Sequence, residues 1–289
     1  MTLSVLLCTD LDRTVLPNGP WEESAEARKR FRQVSERPEL RLAYVSGRHK
    51  ALILEAIETY DIPVPDYAIG DVGTTIYEVR DGEWLEWEDW WEAIGPDWAG
   101  KQHDELAALF HDLGELRMQE ADKQNRFKLS YYTSADVDRC DLFDEMEQRL
   151  KTAGVRANLI WSVDELTGEG LLDLLPASAN KVHAIRFLAE RKGNDESRMV
   201  FAGDSGNDLP ALTSGLQAVL VANANDEVRK EALREVTARG IEGRLYLARG
   251  DFLGMNGNYS AGVLEGLVHF FPEALNWMTG AHGDAGSRR

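Results

Sequence analysis

Leu3-Ser4-Val5-Leu6-Leu7-Cys8-Thr9-Asp10-Leu11-Asp12-Arg13-Thr14 is the stretch that decides the fold. Residues 3–9 are short, apolar and stopped by a carboxylate, which predicts a buried strand. Outward from it, strand and helix alternate. Trp21 to Glu36 is predicted helical, and Arg41 to Val45 is a second strand ended by Ser46-Gly47. Leu52, Ile53, Ala56, Ile57 and Tyr60 then recur at helical spacings of three and four. Two strand-like pieces lie within 67–79, around Gly70-Asp71-Val72-Gly73. From Lys181 the rhythm resumes with a helix carrying Val182, Ile185 and Leu188. Strands at Met199–Ala202, Ala218–Val221 and Arg244–Leu247 and a last core helix at Val263–Phe271 follow. Such alternation marks a parallel sheet with crossover helices.

Between these halves the pattern changes. Residues 83–98 hold Trp84, Trp87, Trp90, Trp91 and Trp98, five of the eight tryptophans. A helix with Leu106, Leu109, Phe110 and Leu113 follows, then a strand at Phe127–Thr133, a helix at 139–152, and strands at Val155–Trp161 and Leu171–Leu175. Runs without strict βα alternation point to a separate α+β unit. The expected fold is therefore α/β, a doubly wound (Rossmann-like) parallel-sheet core of residues 1–82 and 177–289 with an α+β insert at 83–176. The tail from Gly280 is expected to fray.

The 289 residues suit about two domains. Lys plus Arg is 32 and Asp plus Glu is 50, a formal charge of −18. That balance argues against non-specific binding to nucleic acid or an anionic membrane. An anionic substrate would then have to be held by a metal or a few well-placed cations. Cys8 and Cys140 cannot form a disulfide framework, and reduced thiols in a cytoplasmic protein are the simpler reading. The first residues carry no basic region, and no apolar run approaches the roughly 18 residues of a membrane helix.

Chemistry is expected at the carboxyl ends of the strands. Asp10 sits there, and Asp12, two residues on in an extended segment, points the same way; alone, the pair is a weak signal and reads more readily as a solvated acidic turn. Gly203-Asp204-Ser205-Gly206-Asn207-Asp208 ends another predicted strand with oxygen ligands at short spacing, a set that suits Mg²⁺. A helix cap would explain Asp208 but not the whole cluster. Ser46-Gly47-Arg48 ends the second strand with a hydroxyl and a helix start, where backbone N–H groups can face a phosphate. Lys181 opens a helix and by itself reads as a surface lysine. The six histidines are scattered, which argues against zinc.

The order D-x-D-x-T, S-G-R, K, G-D-x-x-N-D resembles the haloacid dehalogenase-like phosphatases. Further stretches resemble their sucrose-6-phosphate phosphatase branch: Gly73-Thr74 with Ile76, Lys123-Gln124-Asn125-Arg126-Phe127-Lys128, Leu172-Asp173-Leu174-Leu175-Pro176, Val221-Ala222-Asn223-Ala224 and Ser260-Ala261-Gly262. The resemblance covers residues 3–271. It implies Asp10 as nucleophile forming an aspartyl-phosphate and Asp12 as general acid and base. It implies Mg²⁺ held by Asp10, the main-chain carbonyl of Asp12 and Asp204, with Asn207 and Asp208 fixing that shell. Ser46, Lys181 and Asn223 would bind the phosphoryl group. The insert would be the family's cap, reading the leaving group through Gln124, Asn125 and Lys128.

Arg13 stands where much of the superfamily has Gly, and Ser46 where the branch commonly has Thr. The implied function is a Mg²⁺-dependent phosphatase of a phosphorylated disaccharide or glycoside, sucrose-6-phosphate first. Mannosylfructose-phosphate or a glucosylglycerol-type compatible-solute phosphate is the alternative, and a sugar phosphomutase is a more distant one. A non-catalytic, Trp-rich sugar-binding module is the reading of a different class, and intact Asp10, Asp12, Ser46, Lys181 and Asp204 speak against it. The expected partners are a small-molecule sugar phosphate and, as a candidate, a glycosyltransferase.

Overall fold

The structure, a computed structural model, describes residues 4–134, 136–163 and 167–279. In chain order it begins with β1 (Val5–Thr9), α1 (Ala27–Ser35), β2 (Leu40–Val45), α2 (Lys50–Tyr60), β3 (Tyr67–Gly70), β4 (Thr75–Arg80) and β5 (Glu83–Glu86). The middle holds α3 (Glu88–Ile94), α4 (His103–Ala107), β6 (Arg117–Met118), β7 (Leu129–Thr133), α5 (Arg139–Thr152), β8 (Ala157–Val163) and β9 (Gly170–Pro176). The last part holds α6 (Lys181–Lys192), β10 (Met199–Gly203), α7 (Leu209–Leu212), β11 (Ala218–Leu220), α8 (Asp226–Ala238), β12 (Leu245–Leu247), α9 (Ser260–Phe270) and α10 (Ala274–Met278).

Every residue of β1 is buried. Val5 and Leu7 join the apolar cluster on one face of the sheet, with Phe31, Val34, Leu264 and Leu267. Leu6 and Cys8 join the cluster on the other, with Ile185 and Leu188 of α6. A strand buried at every position is thus inside an eight-stranded sheet, ordered β12-β11-β10-β1-β2-β3-β4-β5, with helices on both faces. The strands from β12 to β3 pair in parallel, and β4 and β5 add an antiparallel edge. From β1 the chain winds out through β2 and β3, then returns to β1's other side at β10. The topological switch point therefore lies between β1 and β10, where open α/β sheets bind ligands.

The second sheet is antiparallel, ordered β6-β7-β9-β8, with α5 against it. Its apolar face (Leu129, Tyr131, Leu172, Leu174) is continuous with the α6 face of the core through Trp90, Ile94 and Trp98. Two boundaries differ from the sequence reading. Residues 83–86, read as the start of the insert, form β5, because Glu83–Glu86 register against Tyr77–Arg80 in the core sheet. The first helix begins at Ala27, not Trp21. The segment before it is pinned instead to the loop ahead of α9: Trp21 N–H donates to Tyr259 Oη (3.2 Å), and Glu22 O accepts from Asn256 and Asn258. The tail from Gly280 lies outside the described residues.

Candidate active site

Pairing of β1 with β10 runs one residue past the strand, since Asp10 N–H donates to Ala202 O at 2.9 Å. This sets Asp10 and Asp204 at neighbouring strand ends across the switch point. Opposite them, Asn180 caps α6 by accepting from His183 N–H, and Lys181 is its first residue. Lys181 Nζ lies 2.9 Å from Asp10 Oδ1 and 2.7 Å from Asp208 Oδ1. The other oxygen of Asp208 accepts from Asp204 N–H, Ser205 N–H and Ser205 Oγ at 3.1–3.2 Å. That turn demands glycine at 203, because a Cβ there would fall 2.6 Å from Asp208 Cγ.

Oxygens of Asp10, Asp204 and Asp208 lie within 4.8 Å of one another, the only such cluster of potential metal ligands among the described residues. Burial pushes Asp10 up to about 8; Lys181 opposes this, while Asp208 and Asp204 add to it. Burial, then Asp208, pushes Asp204 up to about 7. Lys181 is disfavoured as a cation by burial, but Asp10 and Asp208 outweigh that and raise its pKa. Lys181 and, at Asp204, Arg13 offset only part of the negative charge that three buried carboxylates bring together. The donors are all hard oxygens, which fits Mg²⁺.

Asp12 lies on the open side. Arg48 clamps it with Nε 2.8 Å from Oδ2 and Nη2 2.7 Å from Oδ1, and Asn18 Nδ2 donates to Oδ1 at 2.7 Å. Burial acts upward on its carboxyl, but the hydrogen bonds and charge of Arg48, with Asn18, hold it below the usual range. Ser46 is buried at the end of β2, and its Oγ accepts from Arg48 N–H at 3.1 Å. Arg13 takes φ 56°, the left-handed conformation that glycine adopts freely. Asn18 accepts from its N–H and Asn223 donates to its C=O, so side chains brace the turn from both ends. Asn223, expected near the phosphate, is also held by Tyr259 N–H at 2.8 Å and serves as that brace. Asn207 is exposed on the turn before Asp208.

The three residues expected to read substrate do not act alike. Gln124 donates to Gln119 O and Ser130 O and accepts from Ser130 N–H, so the amide is tied up within the insert. Asn125 reaches the core, with Nδ2 2.9 Å from Thr74 Oγ1. Lys128, only 7% exposed, also faces the core, its Nζ 3.9 Å from Asp71 Oδ1. Reading the sequence singled out neither Asp71 nor Asn18, and gave Arg48 no role. Arg48 directly follows the Ser-Gly that was read as an anion site, and Asp71 ends a predicted strand; strand-end position was the available signal for both.

The tryptophans pack. Trp90 is fully buried against His183 and Phe187 of α6, and its Nε1 donates to Gly73 O at 3.1 Å. Trp87 meets Tyr67 and Phe187, and Trp98 meets Phe127.

A buried carboxylate at a switch point, a lysine bridging it to a second acidic strand end, and an inserted α+β cap between the two halves of the core fit a haloacid dehalogenase-like phosphatase. Within that class the chain belongs to the sucrose-6F-phosphate phosphohydrolase family, whose model matches residues 3–271. It is 58% identical to a protein of Nitrosococcus oceani described as a HAD-like hydrolase, over 96% of this chain and 75% of that one. It is 31% identical to the mannosylfructose-phosphate phosphatase of Agrobacterium fabrum, over 92% of this chain and 96% of the relative. The sucrose-phosphatase of Synechocystis sp. PCC6803, solved in complex with sucrose and phosphate, superposes with a TM-score of 0.69 at 26% identity, covering 93% and 98% of the two chains.

Proposed function

We propose that this phosphatase hydrolyses the phosphate ester of a disaccharide or glycoside, sucrose-6-phosphate first, with Mg²⁺ and through an aspartyl-phosphate on Asp10. The observation that carries the reading is Lys181 Nζ set 2.9 Å from Asp10 Oδ1 beside the Asp204–Asp208 cluster. Asp10, the main-chain carbonyl of Asp12 and Asp204 would hold the metal, which when bound offsets charge on the phosphoryl oxygens. Asp208 keeps Lys181 in place, and Asn207 lies beside that shell. Lys181 and Ser46 then face the same oxygens from the protein side.

In the first step Asp10 attacks phosphorus, the bond from phosphorus to the sugar oxygen breaks, and Asp12 gives that oxygen a proton. In the second, Asp12 takes a proton from water as the water's oxygen attacks phosphorus, releasing phosphate and Asp10. Clamped by Arg48 and Asn18, Asp12 is poised as the base; its turn as an acid requires it to leave Arg48.

A second substrate, mannosylfructose-phosphate, is favoured by the near full-length match to the phosphatase of Agrobacterium fabrum. Transfer of a glycosyl group to a sugar phosphate yields an ester of this kind with the acceptor's phosphate retained, so a glycosyltransferase is the enzyme class that would supply it. The test is phosphate release from sucrose-6-phosphate, mannosylfructose-phosphate, glucosylglycerol-phosphate and p-nitrophenyl phosphate, with Mg²⁺ and after EDTA. A preference for one glycoside phosphate, silenced by EDTA and restored by Mg²⁺, is expected. Full activity after exhaustive chelation would sink the metal assignment.

A further inference from the structure

Asp71 lies on the first residue past β3, in the row of strand ends that carries Asp10 and Ser46. Its backbone is forced: Asp71, Val72 and Gly73 take φ of 52°, 59° and 95° in succession, and a β-branched residue in that region is a true outlier. Such conformations persist where the surroundings over-determine them, and they gather at ligand sites.

Here the surroundings are the phosphoryl site itself. Asp71 N–H donates to Arg48 O at 3.0 Å, on the residue that clamps Asp12. On the other side Gly73 presses against α6, where a Cβ would lie 2.8 Å from Asn180 C and 3.1 Å from Lys181 N. The loop thus forms the lip of the site between the Asp12 clamp and the phosphoryl lysine.

The Asp71 carboxylate points across the seam toward the cap. Thr75 Oγ1 donates to its Oδ2 at 2.8 Å. Its Oδ1 faces Lys128 Nζ at 3.9 Å, an attraction between charges but too long for a direct hydrogen bond. Both residues are under a tenth exposed, at 4% and 7%. A carboxylate has about four acceptor positions; Thr75 and Asn125 occupy part of this one's capacity, and the remainder lies beside a cation that it does not touch.

We propose that Asp71 is a specificity-determining residue that accepts hydrogen bonds from hydroxyls of the leaving sugar, with Lys128 of the cap as the second half of the same subsite. This rests on the proposed sugar-phosphate reading. A paired carboxylate and ammonium present an acceptor and a donor to adjacent hydroxyls, and binding energy at that remove from phosphorus orients the scissile oxygen.

The test is Asp71→Asn, Lys128→Ala and the double variant, assayed with the four substrates above. Asparagine tolerates the left-handed conformation, and a thermal melt verifies that each variant is folded. Asp71→Asn is expected to lower kcat/KM on the preferred glycoside phosphate about tenfold to a hundredfold, the scale of a charge-assisted hydrogen bond. Hydrolysis of p-nitrophenyl phosphate, which offers no sugar hydroxyls, should change less than about threefold. The double variant should lose little more than the worse single, since the two act as one unit. Equal losses on both kinds of substrate would place Asp71 in the phosphoryl site or the fold and overturn the proposal, as would no loss on any glycoside phosphate. A wild-type enzyme that prefers no glycoside phosphate would overturn the underlying function as well, and that failure shows without any variant.

Discussion

Asp10→Asn keeps shape and removes the proposed nucleophile, so turnover should fall to background while the protein stays folded. Asp12→Asn should be nearly as inactive but accumulate phosphoenzyme, because hydrolysis of the acyl phosphate has lost its base. Acid-quenched protein labelled from ³²P-substrate separates the two; near-normal phosphate release by Asp10→Asn would remove the covalent route. The same carboxylates make the metal-free protein sensitive to pH. Asp10 and Asp204 are raised to about 8 and 7 by burial and by their acidic neighbours, against an unfolded value of about 3.9. The folded state therefore holds more protons between those values, and stability falls as pH climbs from about 4 to about 8. Asp204→Asn, measured in EDTA, should raise the melting temperature more at pH 8 than at pH 5. A gain that is equal at both pH values would contradict the upward shift.

At the scale of elements, legibility followed burial. β1 and β10 are buried at every position, and their apolar runs stand out of the sequence without ambiguity. β5 did not: its pattern is exposed but for Trp84, because an edge strand has one neighbour and little to bury. The sequence reads a helix from Trp21 because Trp21–Glu26 is as polar as the helix that follows, whereas in the structure distant contacts with Asn256, Asn258 and Tyr259 hold Trp21 and Glu22 outside it. The site divided the same way. Motif order singles out Asp10, Lys181 and Asp204, and the structure brings their side chains together, whereas Asp71 faces a cap lysine 57 positions away, a pairing that no local pattern encodes. Gln124 matched a motif and turned out to be bonded within the cap, because spacing fixes position but not the direction of a side chain. One element tests the packing reading. Trp90→Ala removes a fully buried indole and its bond to Gly73 O, and should cost about 3–5 kcal/mol of unfolding free energy by urea titration. A loss below about 1 kcal/mol would mean that α3 is peripheral to the loop bearing Asp71.

Across the whole molecule, cap and core share one apolar cluster, running from Leu6 and Ile69 through Trp90 and Trp98 to Leu129 and Leu174. Asp97, buried beside Trp98, also accepts from Ser178 N–H and Oγ at 2.6 Å, which ties the way into the cap to the way out. Tryptophan fluorescence, weighted to residues 84–98, and far-UV circular dichroism should therefore report one coincident urea transition. Two separated transitions would show that the cap holds its structure independently.

The position of β1 has a consequence during synthesis. Its partner on one side, β2, emerges within a few dozen residues, but β10, its partner on the other, begins only at Met199. At about 5–20 residues per second, the ribosome takes roughly 10–40 s to make the intervening chain. For that interval a strand that ends up wholly buried has one row of N–H and C=O groups unpaired, the condition in which strands recruit neighbours. An arrangement that joins Asp10 to Asp204 across the finished sheet thus leaves the nascent chain with one edge of that strand bare for most of its synthesis, and makes a chaperone's cover most useful before the catalytic site exists.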